Sequence, residues 1–245
     1  KGKSLLSPGI KKVIGKFNKG DHIKILNVNM KEYARGLSSF TSDEISKIKG
    51  QHSNKINELL DLENKVILIT GALGQVGTAL VNTFLDLSSV VIATDINKSG
   101  EINIENENHD YFKLDVNKPA EVRKVLDDIF AKYKKIDVLI NNAAIQGAIG
   151  PLWENDLDSW KKVINVNLIG PMALCRAFVP WMEANAGGSI INLSGGGATG
   201  PRPNFSAYAS SKAALVRLSE SLAEEVKTKS ISVNCVAPGT MNTSI

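Results

Sequence analysis

From residue 66 onward, short apolar runs alternate with segments of helical periodicity, and this alternation constrains the fold more than any other feature. The runs are VILIT (66–70), VVIATD (90–95), YFKLD (111–115), DVLIN (137–141), SIINLS (189–194) and ISVNCVA (231–237). Runs of this length predict strands that are largely buried. Between two of them, PAEVRKVLDDIFAKY (119–133) shows one apolar helical face and begins with proline, which suits a first helical turn. Strands that alternate with helices predict an α/β fold with a doubly wound parallel sheet, here of six strands.

Residues 1–60 differ in composition from the rest of the chain, because they are rich in lysine and contain only short apolar segments. IKKVIG (10–15), DHIKILNV (21–28) and KEYARGL (31–37) predict short strands. SDEISKIK (42–49) predicts a short helix with Ser42 as its N-cap. We therefore predict two domains, a small β-rich module at residues 1–60 and a larger α/β domain at residues 61–245.

Composition excludes several other classes of protein. The net charge of +4 over 245 residues gives no general electrostatic reason to bind nucleic acid. Cys175 and Cys235 lie in apolar sequence without a CxxC motif, which favours reduced thiols over a disulfide or a zinc site. The three histidines are scattered, no signal peptide is visible, and no uninterrupted apolar run is long enough to span a membrane. These features predict a cytoplasmic protein with no metal and no membrane partner.

The first run of the larger domain leads into the glycine-rich segment TGALGQVG (70–77) and then into a helical pattern. A strand, a glycine turn and a helix form the phosphate site of dinucleotide-binding folds. In this interpretation Gly71 permits the tight turn, Gly74 lets backbone approach a pyrophosphate, and Gly77 allows the helix to pack closely on the strand. The N–H groups at the helix N-terminus would bind the anion.

The next strand ends in Asp95, about 20 residues beyond the loop, where an acidic residue is expected to bind the adenosine ribose hydroxyls. A carboxylate at this position would repel a 2′-phosphate. We therefore predict NAD as the cofactor in preference to NADP. The alternative is that Asp95 only caps a helix or stabilises a turn.

In YASSK (208–212), a phenol and an ammonium lie four residues apart, on one face of any helix. A phenol ordinarily has a pKa near 10, so a neighbouring cation is needed for Tyr208 to act as a base near neutral pH. Lys212 could supply that charge. The alternative is a tyrosine and a lysine on the surface of an amphipathic helix.

Together with LDV (114–116), NNAA (141–144), NVNLIG (165–170) and APGTMNT (237–243), these motifs resemble, in order, those of the short-chain dehydrogenase/reductase family. The resemblance covers about residues 65–245. It implies a Rossmann-like fold and hydride transfer between NAD(P) and an alcohol or carbonyl, with Tyr208 as proton donor or acceptor. The small-molecule substrate could be an alcohol, a ketone or a sugar derivative, because the glycine spacing at 71, 74 and 77 suits a different branch of the family from the other motifs.

The resemblance also implies roles for individual residues. Tyr208, Lys212, Asn167 and Ser194 would be catalytic, with Asn167 organising a water that leads to Lys212, and Asn141 would brace the sheet. The coenzyme-binding residues would be Gly71, Leu73, Gly74, Gly77, Asp95, Asp115, Val116, Asn142, Ala143, Tyr208, Lys212, Pro238, Gly239 and Thr243.

The assignment of the serine has two alternatives. The family's serine aligns with Gly195, one residue after Ser194, and successive side chains of a strand point to opposite faces. Either Gly195, Gly196 and Gly197 turn the chain so that Ser194 reaches the substrate, or backbone N–H groups take its place.

The family also continues past the APGTMNT motif with a substrate-covering segment and a seventh strand. A second hypothesis is therefore a coenzyme-binding protein without turnover.

Residues 1–56 resemble the PUA domain of bacterial glutamate 5-kinase in GKSLLSPGI (2–10), FNKGD (17–21) and ARG (34–36). That likeness implies a PUA-like module that is incomplete, and a third hypothesis in which the module binds RNA through its basic residues.

The short-chain dehydrogenase/reductase resemblance further implies a homodimer or homotetramer that associates through the helices near 156–183 and 206–228.

Overall fold

The protein divides into two compact units, Lys1–Glu63 and Asn64–Ile245. The computed structural model describes residues 11–18, 21–26, 30, 32–38, 41–48, 62–97 and 107–238.

In the first unit, strands β1 (His22–Leu26) and β2 (Glu32–Leu37) pair antiparallel, with an irregularity in register between Ile25 and Leu26. The prediction of a strand at residues 10–15 is wrong for residues 11–15, which the structure describes. These residues form no strand, and Gly15 has a φ of 80°. The segment's two adjacent lysines and two adjacent apolar residues do not alternate, so neither face of such a strand would be consistently apolar.

Helix α1 (Ser42–Ile48) follows, and its N-cap is Thr41 rather than the predicted Ser42. The backbone N–H of Glu44 donates to the Thr41 hydroxyl at 3.1 Å, and the N–H of Thr41 donates to the Glu44 carboxylate at 2.7 Å. This reciprocal pair is a capping box. Ser42 is instead the first helical residue, and its carbonyl accepts a hydrogen bond from Ser46.

The second unit contains a parallel sheet of six strands, in the order β5-β4-β3-β6-β7-β8. The strands are β3 (Val66–Thr70), β4 (Val90–Asp95), β5 (His109–Lys113), β6 (Val138–Asn141), β7 (Gly188–Leu193) and β8 (Ile231–Val236). The helices are α2 (Gln75–Asp86), α3 (Pro119–Lys132), α4 (Leu157–Ile164), α5 (Gly170–Ala184) and α6 (Ser206–Glu225). The predicted fold class is confirmed.

Both faces of this sheet are covered, as its apolar strands require. Alternate residues of one strand face opposite sides, so Leu68 belongs to one core and Ile67 to the other. The first core includes Leu126 of α3 and Phe178 of α5. The second core includes Val81 of α2.

The helical stretch Leu157–Ala184 joins α4 and α5 through a single wide π-type turn, Asn165–Ile169. By length and composition it is apolar enough to cross a membrane, a property that core helices of globular domains share. Here Leu174, Phe178 and Met182 are fully buried in the first core, which accounts for its apolar character.

The order of the strands places the candidate site. The chain moves outward from β3 through β4 to β5 and then returns to the other side of β3 with β6. Ligands of open parallel sheets bind at such a reversal, beyond the carboxyl ends of the strands. Gly71, Asn142 and Ser194 follow directly after β3, β6 and β7 and therefore meet at this edge.

Candidate active site

The loop after β3 is shaped by steric limits on its glycines. Gly71 has a φ of 64°, and a Cβ there would lie 2.7 Å from the Cα of Ala143. A Cβ on Gly77 would overlap the carbonyl of Gly71, so only glycine lets α2 approach β3 this closely. Gly74 differs, because its nearest such contact is an ordinary 3.5 Å. Its lack of a side chain is not required by the protein's own packing and suits the approach of a ligand to the backbone.

Asp95, the last residue of β4, holds the same loop. One carboxylate oxygen accepts the backbone N–H of Leu73 at 3.0 Å, and the other accepts the N–H of Asn97 at 3.1 Å. The residue is 8% exposed, so the carboxylate is fixed in orientation at the edge of the loop. Each oxygen retains a lone pair with which to accept a hydrogen bond from a ligand.

The reversal between β3 and β6 is held together by Thr70 and Asn142. The Thr70 hydroxyl accepts the backbone N–H of Asn142 at 3.1 Å and that of Ala143 at 3.0 Å. In return, the Asn142 amide donates to the carbonyls of Thr70 and Gly71, both at 3.0 Å. These four bonds fix the two loops against each other.

Asn141, which was predicted to brace the sheet, lies in a buried chain of polar groups. Its amide donates to Asn192 on β7 at 2.7 Å, and the amide of Asn192 donates to Ser219 on α6 at 2.8 Å. Buried amides are costly unless they are bonded, so this chain ties β6, β7 and α6 together.

Asn167 lies in the wide turn between α4 and α5 and is fully buried. Its side-chain oxygen accepts the backbone N–H of Ile145 at 2.8 Å, and its amide donates to the carbonyl of Ile145 at 2.9 Å. The amide also donates to the Ser211 hydroxyl at 3.1 Å, which donates to the carbonyl of Tyr208 at 2.7 Å. Asn167 therefore connects the loop after β6 to the first turn of the helix that carries Tyr208.

Lys212 is buried beneath the end of β7. Its ammonium donates to the carbonyl of Leu193 at 2.7 Å and lies 5.7 Å from the centre of the Tyr208 ring. Burial lowers the pKa of Lys212 to about 8, and the negative charge that Cys235 can carry opposes the shift. Burial also raises the pKa of Tyr208, and the positive charge of Arg202 acts in the opposite direction.

The three glycines after Ser194 each make room for a different group. A Cβ on Gly195 would overlap the hydroxyl of Tyr208. A Cβ on Gly196 would lie 3.3 Å from the Arg202 guanidinium, and one on Gly197 would lie 2.7 Å from the Cβ of Ala209. The position that faces Tyr208 is therefore Gly195.

The Ser194 hydroxyl donates to the backbone carbonyl of Lys212 at 3.0 Å. This bond stabilises the turn of α6 that carries Lys212 and is distinct from any contact with the Tyr208 hydroxyl. The residue also lines the cavity described next, and its catalytic role stays a prediction.

One cavity of about 320 Å³ brings most of the predicted residues together. It is lined by Gly71, Leu73, Gly74, Gly77, Asp95, Asn142, Ala143, Ser194, Tyr208, Lys212 and Pro238, and also by Gln75, Val76, Asn97, Ala144 and Leu193, which were not predicted. Gln75 and Val76 belong to the first turn of α2. The partial positive charge at a helix N-terminus was the signal that could have identified them.

Two predicted coenzyme residues are not among those that line this cavity. Asp115 accepts the backbone N–H of Asn117 at 3.0 Å. Val116 packs against Gly170, where an added Cβ would lie 3.0 Å from the Val116 side chain. Gly239 and Thr243 lie outside the described residues. Within the described part of the chain, no three histidine, cysteine or acidic side chains come together as metal ligands.

The sequence and the fold are similar to those of known proteins. The family model described as short chain dehydrogenase matches residues 65–245, and the one described as PUA domain matches residues 1–60. The chain is 35% identical over 190 residues to a 3-oxoacyl-[acyl-carrier-protein] reductase of Thermotoga maritima, which covers 74% of this chain and 76% of the relative.

Two solved structures show the same fold. A 3-ketoacyl-(acyl-carrier-protein) reductase from Brucella melitensis complexed with NADH is 27% identical, with a TM-score of 0.71 over 74% of this chain and 78% of that one. The protein ElxO with NADP bound is 29% identical, with a TM-score of 0.70 over 74% of this chain and 75% of that one.

Proposed function

Because the chain belongs to the short-chain dehydrogenase family, we propose that it is a nicotinamide-dependent oxidoreductase that interconverts an alcohol and a carbonyl compound with Tyr208 as the proton donor and acceptor. The observation that carries this proposal is that Tyr208 and Lys212 line the same cavity as the glycine loop and Asp95. A dinucleotide and a proton-transfer group would therefore meet at one site.

The residues present fit a nicotinamide dinucleotide. Gly74 leaves the first turn of α2 open to a pyrophosphate, and the partial positive charge of the helix N-terminus favours an anion there. Asp95 would accept the adenosine ribose hydroxyls, and Lys212 would donate to the ribose next to the nicotinamide. The bound coenzyme supplies the acceptor or donor of the hydride.

In the oxidising direction, the deprotonated Tyr208 takes the proton of the substrate hydroxyl as the carbon–hydrogen bond releases its electron pair as hydride and the carbonyl forms. In the reducing direction, the Tyr208 phenol gives its proton to the carbonyl oxygen as hydride arrives at the carbon. A positioned acid or base of this kind contributes about 10²–10⁴-fold to the rate. Asn167 keeps the Tyr208 turn in place through Ser211.

We propose NAD rather than NADP as the coenzyme. The carboxylate of Asp95 lines the cavity and is held by two backbone N–H groups, so it cannot easily turn away from a 2′-phosphate. The solved relatives include one with NADH and one with NADP, so the family alone does not decide the preference.

A fluorescence titration of the protein with NADH and NADPH tests the binding part of the proposal, and a panel of alcohols and ketones tests turnover. We expect saturable NADH binding, weaker NADPH binding and turnover of at least one member of the panel. Binding without turnover over the whole panel would favour a coenzyme-binding protein. Absence of binding to either nucleotide would contradict the proposal altogether.

A further inference from the structure

We infer that Arg202 is a second cation of the Tyr208 site and stabilises the ionised phenol, a role additional to that of Lys212. This inference rests on the proposed function of Tyr208 as a proton-transfer residue. It concerns a residue that none of the motifs includes.

Arg202 is held against aromatic rings. Its guanidinium carbon lies 4.0 Å from the centre of the Phe205 ring and 5.4 Å from the centre of the Tyr208 ring. Gly196 has no side chain at the point where a Cβ would come within 3.3 Å of the guanidinium. The space left by this glycine therefore admits the cation beside the tyrosine.

The charge of Arg202 is not neutralised by a neighbour in the described part of the chain, where Arg202 forms no ion pair with a carboxylate. Its pairing with two rings is a cation–π arrangement, and Arg is protonated at every physiological pH. The positive charge of Arg202 acts to lower the pKa of Tyr208, because a nearby cation favours the charged form of a phenol.

Lys212 cannot supply a permanent charge in the same way. Its ammonium is engaged by the Leu193 carbonyl, and its burial lowers its pKa to about 8, so its charge is lost as the pH rises through that value. Cys235 on β8 acts on Lys212, and burial raises the pKa of the Cys235 thiol; Glu220 on α6 acts in turn on Cys235. Arg202 is thus the cation that persists near Tyr208 in mildly alkaline solution.

Gly195 makes a second cation more important. A Cβ at that position would overlap the Tyr208 hydroxyl, so the glycine makes room for the phenol but offers it no side-chain donor. With that donor absent, the free energy of the ionised tyrosine depends more strongly on nearby positive charge. Arg202 is a positioning residue in this sense, because it acts through Tyr208.

The test is an ultraviolet difference titration of tyrosine ionisation near 295 nm, on protein without coenzyme or substrate. The wild type, Arg202→Gln and Arg202→Lys are each compared with the same protein carrying Tyr208→Phe, so that only Tyr208 contributes. We expect Arg202→Gln to raise the apparent pKa of Tyr208 by at least about half a unit, which corresponds to about a threefold higher proton affinity. Arg202→Lys should retain most of the wild-type value.

Arg123→Gln, which removes an exposed arginine of α3, is the matched control and should leave the titration unchanged. An Arg202→Gln titration that coincides with the wild type, or an Arg202→Lys variant that shifts as much as Arg202→Gln, would overturn the inference. Because this experiment needs no turnover, its failure would leave the proposed function standing. The proposed function itself would be contradicted by a different result, namely wild-type turnover by the Tyr208→Phe variant.

Discussion

The hydroxyl of Ser194 donates to the backbone carbonyl of Lys212 at 3.0 Å, so this serine stabilises the helix turn that carries Lys212. The neighbouring position, Gly195, is the one that faces the Tyr208 hydroxyl. Ser194, the predicted catalytic serine, is therefore adjacent to the position that faces the Tyr208 hydroxyl. Substitutions at these two positions separate their contributions.

We expect Ser194→Ala to lower the free energy of unfolding by about 1 kcal/mol, because it removes one buried hydrogen bond. Turnover should fall less than about tenfold, since Tyr208 and Lys212 stay in place. Urea unfolding and steady-state kinetics on the same preparation provide the two values. A loss of turnover of about a hundredfold or more with unchanged stability would instead show that Ser194 acts on the substrate.

We expect Gly195→Ala to reduce turnover by about a hundredfold, because the new methyl group would displace the Tyr208 hydroxyl and misplaced catalytic groups cost about that much. NADH affinity, measured by fluorescence titration, should remain within about threefold of the wild type. Gly200→Ala is the matched control, because a Cβ there meets nothing within 4 Å. Neither glycine has a positive φ, so backbone strain does not complicate the comparison.

We expect Asp95→Asn to reduce the preference for NADH over NADPH by about tenfold or more, since hydrogen bonds to a charged group are worth about 1.5–3 kcal/mol. The ratio of the two dissociation constants is the measurement. Asp128→Asn is the control, because Asp128 is an exposed residue of α3. A ratio that Asp95→Asn leaves unchanged would show that this carboxylate only stabilises the loop through Leu73 and Asn97.

The lowered pKa of Lys212 predicts a dependence of stability on pH. Between about pH 8 and the ordinary lysine pKa near 10.4, the unfolded chain binds the proton that the folded chain has released. The contribution of Lys212 to the free energy of unfolding therefore rises with pH across that window. The wild type should gain stability relative to Lys212→Met from pH 8 to pH 10, as urea unfolding would show.

Lys161→Met removes an exposed lysine and serves as the control. A constant difference between the wild type and Lys212→Met over this range would mean that Lys212 keeps its ordinary pKa in the folded protein.

The residues that could be predicted from sequence are those whose geometry is local. The spacing of Tyr208 and Lys212 on α6 and the glycines of the loop after β3 depend on helix period and turn sterics alone. The parallel sheet could be predicted because its strands are apolar and separated by helical segments. The capping box at Thr41 could also have been predicted, because Glu44 lies three residues after Thr41. Ser42 was predicted as the N-cap on residue type alone.

The remaining features depend on groups brought together from distant parts of the chain. Asn167 was predicted to organise a water, but the direction of its amide toward Ile145 follows from how the wide turn packs on the loop after β6. The position of Arg202 over two rings is set by a loop with no periodicity. The direction of Ser194 depends on where β7 ends, and a shift of one residue reverses it.

The most direct test of the central claim is hydride transfer by Tyr208→Phe at saturating NAD and substrate, with NADH binding measured on the same preparation. The phenylalanine keeps the ring beside Lys212 and Arg202 and removes only the group that carries the proton. We predict that NADH affinity is retained and that turnover falls by a factor of about a hundred or more. Turnover equal to that of the wild type would contradict the assignment of Tyr208 as the proton donor and acceptor.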